Sequence, residues 1–379
     1  MTSPDNTSEP LESGVLTVDL AALVANWRQL AAMAGDSRID CAAVVKADAY
    51  GLGQAPATRA LAAAGCRTFF VANLAEGELA RRLTPEATIY VLDGVTPGAG
   101  ARLAAAGLRP VIGSLAELDE WATTARDLGR SLDAALHFDT GMNRFGLPAR
   151  EAELAATRLA EQAGLARLTL LMSHFVSSQL VGAPINARQI ADFEAARRFF
   201  PGVPASMANS SAVFLPERPY YDLLRPGYAL YGGNPTVAPD NPMRPVASLR
   251  ARILATHEVA PGETAGYDAT WTAQRPSRLA TIGAGYADGV PVSASARADK
   301  PGGCAIVGGV RCPFVGRVSM DSVILDVTDA PHAASRRGGW AELLGDAIGV
   351  DELAGRASVI GYEILTRLGR RYARRYIGD

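Results

Sequence analysis

The sequence reads as α/β: an N-terminal (β/α)8 TIM barrel over 13–240, then a C-terminal, mainly β domain over 241–379, behind a disordered tail at 1–12. Three observations predict this. Between about 15 and 235, short apolar runs alternate with alanine-rich helical stretches such as 57–64, 75–82 and 151–162, which is the mark of βα units. After the segment VLTVDL at 15–20, eight candidate core strands follow, at 41–46, 68–73, 88–92, 110–113, 134–138, 168–174, 204–208 and 222–225, and eight such units point to a barrel. Past Arg244 the pattern turns to alternating strands with hairpin signals, as in SRLATIGAGYADG and CAIVGGVRC, beyond a linker marked by Pro235, Pro239, Pro242 and Pro245. Periodicity does not show closure, so an open doubly wound sheet stays an alternative, although no glycine fingerprint follows the first strand.

Length and composition bound the function. At 379 residues two domains are the default. With 37 basic against 39 acidic residues and a net charge of −2, neither nucleic acid nor an anionic membrane is the expected main partner; the arginines of LTRLGRRYARRY read as a solvated face. No apolar stretch approaches the ~18 residues of a spanning helix, and the polar N-terminus does not resemble a signal peptide, so the expected location is the cytoplasm. Cys41, Cys66, Cys304 and Cys312 form no CxxC pair and have no nearby histidine, which predicts reduced packing residues and no metal site.

The strand ends carry the chemistry. Lys46, Asn73, Asp93, Ser114, Asp139, His174, Asn209 and Arg225 recur where barrel enzymes keep their reacting groups. At the first strand, Cys41 to Val45 lacks polar alternation and ends in Lys46; an amine in partly apolar surroundings loses ammonium stability and becomes a nucleophile or Schiff-base partner. A lysine there also commonly snorkels to water. In DTGMNRFG at 139–146, Arg144 sits in a glycine-flanked loop and its fork suits a carboxylate, though a plain turn fits as well. His174 closes LTLLMSH and reads as a packing or ring-stacking residue rather than a metal ligand. Asn209-Ser210-Ser211 offers N–H groups and a hydroxyl to a phosphate, or simply a helix cap. Arg225-Pro226-Gly227-Tyr228 puts a guanidinium at the last barrel strand beside a glycine that permits close approach. In the β domain, Tyr267 and Tyr286 lie in glycine-rich loops, and VGRVSMD ends in Met320-Asp321.

Nine motifs stand in one order from about 13 to 376: VVKADAYGLG, DTGMNRFGL, SHF, ANSSA, RPGYALYG, AGYDATW, GYADG, VGRVSMD and GYEI. Together they resemble alanine racemase. The resemblance implies a fold-type III pyridoxal 5'-phosphate barrel and a homodimer with shared active sites, interconverting L-alanine and D-alanine for peptidoglycan or for catabolism. Lys46 then holds the cofactor, and Tyr267 of the other subunit is the opposing base. Tyr50, Asn209, Ser210, Gly227, Tyr228 and Tyr362 surround the phosphate, Arg225 faces the pyridine nitrogen and His174 lies under the ring. Arg144, Met320 and Tyr286 belong to the substrate neighbourhood. The resemblance also implies that a guanidinium facing the ring keeps its own proton, which suits racemisation over transamination.

Two positions depart from that pattern. His137 stands where many members carry a carbamylated lysine that braces the substrate-binding arginine, and Val292 stands where an arginine often lines the entry. Histidine forms no stable carbamate, so no carbon dioxide adduct is expected on this strand, and Arg144 is braced by an imidazole hydrogen bond or a bound anion such as chloride. A broader-specificity amino-acid racemase, a fold-type III decarboxylase and a non-catalytic pyridoxal-phosphate carrier are the competing readings. The decarboxylase would need a carboxylate where Arg225 stands, and the carrier would lack a counterpart of Tyr267.

Overall fold

The computed structural model describes residues 11–296 and 301–378; most of the expected tail at 1–12 lies outside the described residues. The chain divides into two compact units, one formed by 21–244 and the other by 1–20 together with 245–379.

The first unit is a closed parallel barrel. Its eight strand positions are Asp40–Cys41 with Ala43–Val44, Thr68–Val71, Thr88–Val91, Arg109–Ile112, Leu132–Asp139, Ala166–Met172, Ala205–Ser206 and Leu223–Leu224. Parallel pairing runs from the first through to the seventh. Closure comes from the eighth: Leu223–Leu224 pairs with Asp40–Cys41, and its flanks reach the seventh strand through Asp222 N–H to Ala205 O and Arg225 N–H to Ala208 O, both 2.9 Å. The open-sheet alternative is thereby removed. These strands are covered on both faces, so they carry uninterrupted apolar runs, with Phe69, Phe70, Ile89 and Ile112 fully buried.

The helices start where side chains cap them. Asn73 and Ser114 each accept the N–H of a glutamate three residues on, Glu76 and Glu117, and each glutamate reaches back to the strand end. Pro184 opens Pro184–Arg197 at its first turn, where its missing N–H costs nothing. Along Leu115–Asp127 the buried residues Leu118, Trp121, Ala122 and Ala125 fall at helical spacing and face the sheet.

The second unit is a mostly antiparallel sheet. The long strand Ala247–Val259 pairs with Trp340–Leu344 through its first half and with Ser277–Ile282 through its second, across a register shift between Ile253 and Ala255. Val323–Asp326, Val310–Val315 and Cys304–Val307 complete the circuit, so six strands close on themselves. Residues 13–20, expected in the barrel, belong here instead: Gly14–Asp19 lies antiparallel to Ala247–Val259 and parallel to Ala373–Ile377. The apolar run VLTVDL is long enough for either sheet, and only pairing across some 230 residues assigns it. No described helix is long and apolar enough to cross a membrane.

Phe138 is fully buried and its ring lies 5.7 Å from that of Phe200. Phe138→Ala is expected to cost about 3–5 kcal/mol in urea unfolding. A loss below about 1 kcal/mol would mean that this face of the barrel is loosely packed.

Candidate active site

Lys46 is presented by an unusual backbone. Strand pairing stops at Val44, and Ala47, Asp48, Ala49 and Tyr50 then all adopt positive φ, between 53° and 55°. For L-residues the left-handed region costs roughly 1–2 kcal/mol each, so four in a row persist only where the surroundings enforce them. The enforcing bonds are visible. Gly51 N–H donates to Ala47 O and Gly53 N–H to Asp48 O, both at 2.8 Å, and Gln54 N–H reaches the Asp48 carboxylate at 2.7 Å. Glu76 ties the turn to the next strand, accepting from Ala47 N–H and from Ala72 N–H through its two oxygens, each at 2.8 Å. Among the described residues Lys46 Nζ has no hydrogen bond or ion pair. Burial lowers its pKa, and Arg144 lowers it further, against the opposing pull of Glu76 and Asp93.

The last two barrel strands form a backbone cradle. Ser210 Oγ accepts from Gly227 N–H at 2.9 Å and from Ala229 N–H at 3.2 Å. A Cβ on Gly227 would stand 2.1 Å from Tyr50 Oη, so only glycine lets that hydroxyl approach. The Tyr50 ring stacks on Tyr231 at 4.6 Å, and Tyr231 Oη is anchored on Val44 O. Tyr228 is buried beside them. Asn209 shapes this loop: its Oδ1 accepts from Ser178 Oγ and Ala212 N–H.

Arg225 is buried and donates to Ser206 Oγ at 2.5 Å and to Ser173 O at 2.6 Å. No carboxylate pairs with it among the described residues. Burial brings its pKa down to about 9, still above neutrality, so the guanidinium keeps its charge. That charge is felt by both nearby histidines. His137 falls to about 4 and His174 to about 3, first through burial and then through Arg225. Ser173 is held by Thr140 at 2.8 Å, and Gln189 bonds Thr140 as well as His174 O. Arg144 itself is exposed, 5.9 Å from the Phe145 ring centre, in a loop folded around Asp139, whose carboxylate accepts from Gly141, Met142 and Asn143 N–H, each at 2.8 Å. Thus one end of the barrel gathers Lys46, His137, Arg144, His174 and Arg225.

The second unit carries the other expected residues. Tyr267 follows Gly266, whose φ is 78°, and precedes Asp268 and Ala269, also left-handed; Asp268 pairs with Arg317. Tyr267 is 68% exposed, Met320 54%, Tyr286 44% and Tyr362 41%. Burial of the Tyr362 hydroxyl raises its pKa. Met320 and Tyr286 are positioned jointly, since Tyr286 N–H donates to Ser319 O and Ala287 N–H to Met320 O. Arg371 clamps the same loops: it grips buried Asp288 at 2.7 and 2.8 Å and Asp321 at 2.7 Å.

Glu76, Ser173 and Arg371 were not singled out in the sequence. The Asn73-x-x-Glu76 spacing is a readable capping box, but its second bond, to Ala47, is long-range. Arg371 and Asp288 are 83 residues apart, and no local pattern joins them.

Both histidines are neutral when folded at pH 7 and resist protonation, whereas the unfolded chain takes up protons near ~6.5. Stability is therefore flat above pH ~6.5 and falls as pH drops from there toward about 4, by at most about 1.4 kcal/mol per pH unit for each histidine. Urea unfolding from pH 7.5 to 4.5 is expected to give a shallower loss for His137→Gln than for the parent, with carboxylate titration cancelling in the difference. Equal slopes would show that His137 is not desolvated.

Comparison with known proteins agrees along nearly the whole chain. The alanine racemase N-terminal domain model matches 18–235 and the alanine racemase C-terminal domain model matches 246–376. An alanine racemase of Methylobacterium nodulans is 56% identical over 96% of this chain and 95% of its own length. A catabolic alanine racemase of Agrobacterium fabrum is 44% identical over 96% of this chain and 92% of its own. The crystal structure of alanine racemase from Bartonella henselae with covalently bound pyridoxal phosphate superposes with a TM-score of 0.90 at 35% identity, covering 97% of this chain and 100% of that one. The chain belongs to the alanine racemase family.

Proposed function

We propose that this protein interconverts L-alanine and D-alanine with pyridoxal 5'-phosphate held on Lys46, at active sites shared between two copies of the chain. The observation that carries the reading is Lys46: an amine without partners among the described residues, lowered in pKa by burial, on a turn whose strained backbone is held for no evident structural gain. The residues present fit the cofactor. A buried guanidinium without a carboxylate among the described residues suits a neutral acceptor, and the loop around Gly227, with its N–H groups turned to the Ser210 hydroxyl, suits an anion.

In this reading the N–H groups of Ser210, Gly227 and Tyr228 hold the phosphate, with the Tyr50 and Tyr362 hydroxyls, while Asn209 shapes the loop. His174, neutral at working pH, would support the ring, and Arg225 would offer its hydrogen bond to the pyridine nitrogen while keeping its proton. When bound, pyridoxal phosphate acidifies the Cα–H of the attached amino acid. Lys46 takes or returns that proton on one face and Tyr267 of the partner subunit on the other, so the centre inverts. The Arg144 fork and the Met320 N–H orient the substrate carboxylate, and Tyr286 lines the approach. The exposure of Tyr267, Met320 and Tyr286 on their own unit supports a site completed by a second copy. Charge near balance and small-molecule reactants fit a cytoplasmic enzyme.

Protein loaded with the cofactor is expected to racemise L-alanine, followed by chiral chromatography, and borohydride reduction is expected to leave the pyridoxyl group on Lys46. Label on another lysine, or no D-alanine, would overturn the assignment. Lys46→Ala and Tyr267→Ala should each be inactive alone. After mixing under subunit exchange, hybrid dimers hold one intact site, so activity should return. Mixtures that stay inactive, although exchange is verified by mass, would place both bases in one chain.

A further inference from the structure

The opposite mouth of the barrel holds a second concentration of charge. A cavity of about 580 Å³ opens at the starts of the strands Thr88–Val91, Arg109–Ile112, Leu132–Asp139 and Ala166–Met172. Asp133 on its wall and Asp139 at the Arg144 loop are six residues apart on one strand, roughly 20 Å at ~3.3 Å per residue, so this cavity is separate from the candidate active site.

Four guanidinium groups line it, those of Arg81, Arg109, Arg130 and Arg167, against only two carboxylates, Glu86 and Asp133. Their duties differ. Arg81 spends its donors on the carbonyls of Thr84, Pro85, Ala87, Ala106 and Gly107 and belongs to the scaffold. Asp133 is shared, 2.8 Å from Arg109 and 2.6 Å from Arg167. Arg130 uses Nη2 on Ala104 O at 2.9 Å, and among the described residues its Nη1 and both Nη of Arg167 have no hydrogen bond. Trp121, fully buried in the same lining, has an indole N–H with no hydrogen-bond partner among the described residues. Burial lowers the pKa of Arg81 and the neighbouring Arg109 lowers it further, so the like charges repel.

An excess of two positive charges in a concave site with spare forked donors calls for a dianion. We propose that this cavity is a binding site for a small phosphorylated metabolite, its dianionic phosphate held by Arg130 and Arg167 with Arg109 behind them. The volume suits a compact phosphate ester, and guanidinium forks match its oxygens two at a time.

The test is isothermal titration of the cofactor-loaded protein, whose own phosphate cradle is then filled, with inorganic phosphate and with pyrophosphate at constant ionic strength set by sodium chloride. One saturable site per chain is expected for each. The double variant Arg130→Ser/Arg167→Ser, altering two exposed side chains, should bind at least roughly tenfold more weakly, and Glu86→Gln, which removes an opposing carboxylate, should bind more tightly. Heat no different from that of chloride alone would overturn the site. So would unchanged binding in the double variant together with no gain in Glu86→Gln.

Discussion

Desolvation of positive charge at one end of the barrel is the constraint on which the site depends. Lys46, Arg225, His137 and His174 crowd a region poor in carboxylates; burial pushes each toward its less charged form, and neighbouring cations add to the effect on Lys46 and the two histidines. Arg225 retains its charge, because a guanidinium starts so far above neutrality. The amine loses ammonium stability, the imidazoles stay neutral, and one fixed cation remains. A carboxylate beside Arg225 would remove the second of the two effects that keep the histidines neutral and leave burial to act alone.

Such a site needs a rigid frame, and the barrel supplies one through paired devices. Glu76 joins the Lys46 turn to the second strand, and Glu117 bonds Gly113 at the fourth strand and Val95 beyond the third. Each is a helix-capping residue that also fastens the preceding βα loop. The left-handed run from Ala47 to Tyr50 is affordable because these bonds are already made. Removing Glu76 would free two N–H groups and relax the turn that aims Lys46.

The C-terminal unit answers a different problem: holding exposed side chains still. Tyr267, Tyr286 and Met320 stand largely in solvent on their own unit, yet their backbones are pinned by the Asp268–Arg317 pair and by Arg371 gripping Asp288 and Asp321. The Asp268–Arg317 and Asp321–Arg371 pairs are exposed and contribute little to stability, whereas Asp288 is buried and its pairing with Arg371 fastens the loop that carries Tyr286.

How much of this was legible follows from the range of each interaction. Eight apolar runs ending in polar residues announced the barrel and its polar rim, because a parallel strand buried on both faces cannot alternate and its polar residues collect at its ends. Lys46, Arg225 and His174 were nameable for the same reason, Tyr267 from its glycine-rich loop, with motif order suggesting their roles. Tertiary structure alone decided the rest. It closed the barrel through Asp222 and Arg225, moved 13–20 into the β unit, and forced alanines into a conformation their chemistry disfavours. It also matched Glu76 to Ala47 and Arg371 to Asp288. Local patterns record which face of a strand or helix is buried, whereas the partner of a polar group across tens or hundreds of residues is set only when the chain is folded.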